Sequence, residues 1–550
     1  MNKYITSLVA LILFTTTTMT LAQWNSNTTI NTPIAIATKG QSNMHSVTDG
    51  ANGMILTWED NKNSTATSTD IYAQRITTNG NTVWTANGVV VCNDAALQKS
   101  VVITDAGNGT AIIAWQDYRN GNSDIYAQKI DSLGNVLWAN NGVAVVSKTT
   151  TQKNPKLISD NAGGAIIVWE DSVNLYYDIY AQSINSAGVA QWTTGGVAIC
   201  SAANLQLNPK IEIDGIGGAI ITWQDKRNGG DYDIYAQRIN ATGTTQWTAN
   251  GIVVALALKT QHNPRIEPDG ANGAYIAWED KRTNIDYDIY AQHISAAGVA
   301  TWANNGVLVC GAAGNQSGTD IKFLGANIIL AWKDNRAGSN QIFTQLLSSN
   351  GTAVLASNGI LLSNSIKSTN VNTVADGAGG AIITWQDSVA NSWNIEAQKI
   401  NATGTLLWST GGVVVANAAN NQINPAHVSD GAGGAIFAWE DNRTGVDYDV
   451  YAQRIYSNGS LTSIANSSVI SNLENTVYPN PITDKGIVKI NTNDMLRIKI
   501  YAINGTEIKN EYLTTNYVIN ATDYQNGVYM YELLSNDGSK LKHGKFIINQ

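Results

Sequence analysis

A tryptophan followed two residues later by an aspartate recurs eight times in this chain, at Trp58, Trp115, Trp169, Trp223, Trp278, Trp332, Trp385 and Trp439. The spacings are 57, 54, 54, 55, 54, 53 and 54 residues. So constant a period means one supersecondary unit copied in tandem. A unit of this size cannot bury its apolar face alone, and it must stack on its neighbours.

The unit is legible in Gly163-Gly164-Ala165-Ile166-Ile167-Val168-Trp169-Glu170-Asp171, followed by Asp178-Ile179-Tyr180-Ala181-Gln182. Four strands are expected in each copy. The first enters through Asn-Pro in copies such as Asn154-Pro155, where proline removes no interior ladder bond. An Asp-Gly turn follows, as at Asp214-Gly215. The second strand is apolar at successive positions, so both of its faces are expected to be buried. The third, Asp-Ile-Tyr-Ala-Gln, alternates more, and the fourth follows an outer tryptophan such as Trp138. Abundant glycine (49) and aromatic residues with few charges (14%) suit short strands and tight turns.

Four antiparallel strands per copy, eight copies long, is the pattern of an all-β, eight-bladed β-propeller; an open solenoid is the other architecture such a period allows. The order Ser-Asp-Gly, apolar strand, Trp-x-Asp, Asp-Ile-Tyr resembles secreted propellers built of TolB-like repeats, a likeness that implies fold rather than activity. The stretch from Trp24 to Ile36 matches the fourth strand of the other copies, with Trp24 at the site of Trp84, Trp138, Trp192, Trp247, Trp302 and Trp408. The last copy lacks such a strand. The N-terminal segment is therefore expected to complete blade eight and close the ring.

The two ends differ from the array. Residues 1–22 carry Lys3, an apolar run from Leu8 to Phe14 and a small residue at Ala22, which reads as a secretory signal peptide. No later stretch is long and apolar enough to suggest a transmembrane segment. The propeller is expected over 23–465 and a linker over 466–472. Residues 473–550 hold Tyr478-Pro479-Asn480-Pro481, Ile498-Lys499-Ile500-Tyr501, Gly527-Val528-Tyr529 and Lys545-Phe546-Ile547-Ile548, alternating apolar runs that predict a small C-terminal β-sandwich. The same landmarks resemble the C-terminal sorting domain of type IX secretion cargo in Bacteroidetes. That likeness implies the type IX machinery as a partner, and a secreted or surface-attached protein.

Chemistry is harder to place. The net charge of −9 and the lack of a basic run argue against nucleic acid. Cys92, Cys200 and Cys310 end equivalent strands two copies apart, too far for a disulfide in a ring, and read as small buried hydrophobes. No metal-ligand spacing, nucleophile elbow or phosphate loop occurs, so neither a metal, a cofactor nor a catalytic set is expected. The Trp-x-Asp aspartates are followed two residues on by Lys62, Arg119, Arg227, Arg282, Arg336 or Arg443 in six copies, which reads as a pair pinning a hairpin.

Two features stand out as candidate ligand contacts. A glutamine recurs fourteen residues after each outer tryptophan: Gln98, Gln152, Gln206, Gln261, Gln316 and Gln422. A ring of amides near the channel mouth offers donors and acceptors to a sugar or peptide, or else satisfies backbone groups between blades. The repeat is also broken in copies six and seven, at Lys333, Trp393 and Glu396. The function expected is a non-catalytic scaffold binding glycan or protein. A secreted polysaccharide hydrolase or lyase is the alternative, and would need carboxylates or a histidine in one blade only, converging on the channel.

Overall fold

β-Branched residues and tryptophan fit a pleated surface, and in the Ala-Ile-Ile-x-Trp run nothing caps a helix. The computed structural model describes residues 24–64, 68–173, 176–365, 367–461, 477–489, 496–513, 516–535 and 540–550, so the segments read as signal peptide and linker lie outside the described residues. The chain is all-β apart from one short 3-10 turn among those residues.

Each copy folds into a four-stranded antiparallel sheet, and there are eight, an arrangement of the propeller type. In blade two the strands are Gln98–Asp105, Ala111–Asp117, Asp124–Ile130 and Val143–Val146. Its second strand is buried at every position, as the unbroken apolar run predicts. The first strands of successive blades lie side by side, and Gln422–Ser429 of blade eight lies beside Gln41–Thr48 of blade one.

Blade eight takes its fourth strand from the other end of the chain. Thr32–Ala35 pairs antiparallel with Asp449–Ile455, setting Thr32 opposite Ala452. Trp24 behaves as an outer tryptophan of that blade: its Nε1 donates to Thr78 O of blade one at 2.7 Å, just as Trp84 reaches Ser132 O in blade two at 3.1 Å and Trp408 reaches Ser457 O in blade eight at 3.0 Å. The apolar core between blades eight and one contains Trp58, Leu56 and Met44 from one side and Ile436, Val450 and Ala452 from the other.

The Trp-x-Asp tryptophans are the largest fully buried side chains. In blade two, Trp115 Nε1 donates to Asp117 Oδ2 at 2.8 Å, which satisfies a buried indole and a buried carboxylate together. Gly142 explains why a glycine precedes the fourth strand. It has φ +85°, and a Cβ there would lie 2.6 Å from the Trp115 ring. Arg119 donates to Asp117 Oδ1 at 2.8 Å, to Asp117 Oδ2 at 2.5 Å and to Asn141 O at 2.9 Å, and its guanidinium lies 3.9 Å over the Tyr126 ring. The pairs read from the sequence as pinning a hairpin are thus built on a buried carboxylate.

Blades three and seven carry Val173 and Val389 where that cation stands. Without the arginine loop their second and third strands zip further, to Val173 opposite Tyr176 and Val389 opposite Ser392. In blade three Lys148, at the end of blade two's outer strand, supplies the missing charge to Asp171 at 2.9 Å. Blade six has a fourth strand of only two residues, Ile360–Leu361, with half-buried Leu355 at the outer tryptophan site.

The three cysteines are free and fully buried. Burial pushes each thiol up to about 12, so none supplies thiolate at neutral pH. At the C-terminus, Val477–Tyr478, Lys485–Val488 and Tyr517–Asn520 form one sheet, and Glu507–Leu513, Leu496–Ala502, Gly527–Ser535 and Lys540–Ile548 a second. One apolar core joins them, with Ile482 and Ile519 of the first side against Ile498, Leu533 and Phe546 of the second.

Candidate functional site: the channel mouth

The first strand of seven blades opens on the predicted glutamine, and the eighth, blade seven, opens on Ser368. Gln41, Gln98, Gln152, Gln206, Gln261, Gln316 and Gln422 are all fully buried. Each turns its Nε2 into its own loop: Gln98 donates to Ala96 O at 2.7 Å, Gln152 to Thr150 O at 2.7 Å, Gln261 to Lys259 O at 2.7 Å and Gln316 to Gly314 O at 2.8 Å. Gln206 and Gln422 reach Ala203 O and Ala419 O, both at 3.2 Å. A ligand would have to displace these bonds. The donor side of each amide is thus engaged within its own loop, and residues two positions further along the strand line the mouth.

There, each first strand carries a bulge whose central residue has positive φ: Asn43, Ser100, Asn154, Asn208, Asn263, Gly318, Asn370 and Asn424. Asparagine and glycine tolerate this conformation better than other residues. The bulge aims a backbone N–H at the preceding blade, where the middle residue of Trp-x-Asp accepts it. Glu59 Oε1 accepts from Ser100 N at 2.6 Å, Gln116 from Asn154 N at 3.1 Å, Glu170 from Asn208 N at 2.8 Å and Gln224 from Asn263 N at 3.2 Å. Glu279 accepts from Gly318 N at 2.8 Å, Gln386 from Asn424 N at 2.9 Å and Glu440 from Met44 N at 3.3 Å. The last bond joins blade eight to blade one.

Blade six alone breaks the series. It has Lys333 in the middle of Trp-x-Asp, and an ammonium accepts no hydrogen bond. Blade six also has Gly318 at the bulge, where an added Cβ would meet nothing within 4 Å. Both residues line two adjoining depressions of about 490 and 410 Å³, which also share Arg265. Sequence reasoning singled out Lys333 but missed Gly318, the asparagines and the inter-blade bond. The signal was present, as an Asn two residues after most of the glutamines and a Glu or Gln inside seven of the eight Trp-x-Asp cores.

Below the mouth, a cavity of about 330 Å³ is lined by charged residues from blades three to six: Lys156, Lys210, Glu212, Arg265, Glu267, Asp320 and Lys322. His45 and Val102 face it from blades one and two, and Thr373 from blade seven. Burial, and then the charge of Lys156, push His45 down to about 4, so it is neutral. Burial and the neighbouring Arg265 and Lys156 hold Lys210 well below the usual lysine range. Burial and the nearby Glu267 push Glu212 up to about 8, while Glu267 pairs with Lys322 at 2.8 Å.

Trp393 and Glu396 sit elsewhere, on the third strand of blade seven, two strands out from the first strand. Trp393 N donates to Asn421 Oδ1 at 3.0 Å, and Lys367 Nζ lies 5.4 Å from its ring centre. Glu396 replaces the tyrosine that lies under an arginine or lysine in six blades. Burial and the like charge of Asp387 push it up to about 8. The structure thus does not bring Lys333 together with this pair. Among the described residues no group of three or more His, Cys, Asp or Glu is placed to hold a metal ion.

These blades define an all-β repeat protein with an asymmetric channel. Residues 476–549 match the family described as a secretion system C-terminal sorting domain, which directs the chain through the type IX system to the cell surface or extracellular space. No curated protein matches the sequence. Among solved structures the chain is similar to a thermostable family-43 glycoside hydrolase (12% identity, 51% of this chain and 98% of that one, TM-score 0.30). It is also similar to the polysaccharide lyase Uly1 (9% identity, 69% and 92%, TM-score 0.38) and to an α-L-arabinofuranosidase of Fusarium graminearum (11% identity, 65% and 93%, TM-score 0.36). Likenesses at these scores carry no functional argument. No described helix is long and apolar enough to cross a membrane.

Proposed function

We propose that the chain is an exported, non-catalytic β-propeller scaffold that binds a glycan or protein at the Lys333 mouth of its channel. In this reading residues 23–465 form a closed eight-bladed ring of TolB-like repeats, sealed by the N-terminal strand, and 473–550 form a sorting sandwich. The observation that carries it is the break in symmetry. Seven of the eight junctions between blades carry the repeated hydrogen bond, Gly318 N to Glu279 among them, and at the junction of blades six and seven the acceptor becomes Lys333; the bulge residue of blade six itself shrinks to Gly318. Concave sites with a few convergent polar groups are where ligands bind. Screening the full chain on a glycan array tests it: binding to a defined set of glycans is expected, and silence moves the weight to a protein ligand.

A polysaccharide hydrolase or lyase is a second reading, favoured by the channel carboxyls. Glu212 and Glu267 stand in adjacent blades, the first held protonated near neutral pH and the second paired with Lys322. Burial raises both carboxyls, and the Lys322 pair counters it at Glu267, so Glu212 would be the acid and Glu267 the base. Polysaccharide breakdown by the full chain that disappears in Glu212→Gln would establish it. Absence of turnover across acidic and neutral polysaccharides would remove it.

A further inference from the structure

Resting on the binding reading, we propose that the mouth formed by blades four to eight takes an anionic saccharide, its carboxylate or sulfate group seated on Lys210, Arg265 and Lys333. All three line one depression, and Arg265 and Lys333 also line the adjoining one. Lys210 Nζ donates to Asn208 Oδ1 at 3.0 Å, and among the described residues none of the three forms an ion pair with a carboxylate within 4 Å.

The acids nearby are occupied. Glu279 accepts from Gly318 N at 2.8 Å and lies 3.3 Å from His262 Nε2, and Glu440 accepts from Met44 N at 3.3 Å. Deeper in the channel, Asp320 accepts from Thr373 N at 2.7 Å, and its charge acts on Arg265 without pairing with it. Burial first, and then repulsion from Arg265 and Lys156, holds Lys210 well below the usual lysine range, with Glu170 acting the other way. An incoming anion relieves that repulsion. A guanidinium flanked by ammonium groups suits a carboxylate or sulfate oxygen pair.

The rest of the lining points to a sugar. Asn208, Asn263, Asn370 and Asn424 line the depressions and already bond one another, Asn208 Nδ2 donating to Asn263 Oδ1 at 3.3 Å and Asn370 Nδ2 to Asn424 Oδ1 at 3.1 Å, but an amide has two donor hydrogens and two acceptor lone pairs, so the group keeps capacity for ring hydroxyls. Val371 and Pro425 add apolar lining to the same depression, a surface that suits the face of a pyranose ring. Cations, amides and apolar side chains in one depression match the three kinds of surface on an acidic sugar.

The test uses the full chain in titration calorimetry with four probes of similar length: an oligogalacturonate, a sulfated oligosaccharide, a neutral oligosaccharide and polyglutamate. Binding of an anionic oligosaccharide is expected, at least about tenfold tighter than the neutral one and weakening with salt. A preference for the uronate assigns the carboxylate; a preference for the sulfated probe assigns the sulfate. Lys333→Gln separates binding from folding, because glutamine restores the inter-blade acceptor found at Gln386. This variant is expected to melt no lower than the native chain and to lose about tenfold in affinity. Equal binding of neutral and charged sugars, or unchanged affinity in Lys333→Gln, overturns this inference and leaves the binding reading standing. Polyglutamate binding as tightly as the sugars overturns the saccharide assignment in favour of an acidic protein. No binding to any of the four probes overturns this inference and leaves the binding reading to be decided by the glycan array.

Discussion

Lys333 and Glu396 are single departures from a repeat, and each leaves a group without its usual partner. At Glu396 the consequence is a pH dependence. The blades that keep the hairpin cation set an aromatic ring under it, as Tyr235 lies under Arg227 at 3.7 Å. Blade seven has neither the cation nor the ring, so Glu396 faces Asp387 and is pushed up to about 8. The folded state thus keeps a proton that the unfolded chain releases above the ordinary carboxyl range. The stability this provides is fully present below about pH 4 and is lost as pH rises through about 8. Glu396→Gln is expected to stabilise the chain near pH 8 and to change little near pH 4, read from denaturant unfolding at the two pH values. A gain of equal size at both would show that the carboxyl is not raised. Lys333 and Glu396 could be singled out from sequence because they break a pattern. Their separation could not, since only strand order shows one at the channel mouth and the other two strands out.

At the scale of the hairpin, the aspartate of Trp-x-Asp is a buried charge that in every blade but the seventh meets a cation among the described residues, supplied in two ways. Arg227 in blade four reaches Asp225 at 2.6 Å from two residues away, whereas Lys148 reaches Asp171 in blade three at 2.9 Å from the neighbouring blade. Removing one partner of a buried pair leaves an uncompensated charge, at a cost of about 3–5 kcal/mol. Arg227→Ala and Lys148→Ala are both expected to destabilise the chain by about 3 kcal/mol in urea unfolding. If Lys148→Ala costs less than about 1 kcal/mol, its pair with Asp171 is no better than an exposed surface contact. The arginine half of this device is legible in the spacing Asp-x-Arg. The lysine half is not, because Lys148 and Asp171 are neighbours only once blades two and three stack.

At the scale of the molecule, the closure proposed for the ring rests on chain ends brought together. Thr32–Ala35 is the outer strand of blade eight, Trp24 reaches blade one, and Glu440 accepts from Met44 N. Deleting 23–36 exposes the edge of Asp449–Ile455, and unpaired edges recruit other strands. That variant is expected to melt at least about 5 °C lower and to associate in size-exclusion chromatography, because the loss is shared by every element that the closure holds. An unchanged melting temperature would mean that the N-terminal strand is dispensable. The position of Trp24 relative to its six counterparts made this pairing readable before any coordinates. The two-sheet C-terminal unit was equally readable, through alternation and turn residues that act locally.

The sequence by itself determined the repeat, its strands and turns, the identity of the buried tryptophans and aspartates, and the route of export. Each of these depends on residues close together in the chain, or on a period that copies one local solution eight times. Tertiary structure alone decided what faces the channel. The glutamines at the strand starts turned inward to their own loops, while the bulge two residues on presented the asparagines, Gly318 and the cations. A bulge shifts which side chain points where by a single residue, and the neighbour it meets belongs to a blade some 54 residues away. Local pattern fixes the blade, and only the packing of one blade against the next fixes the mouth.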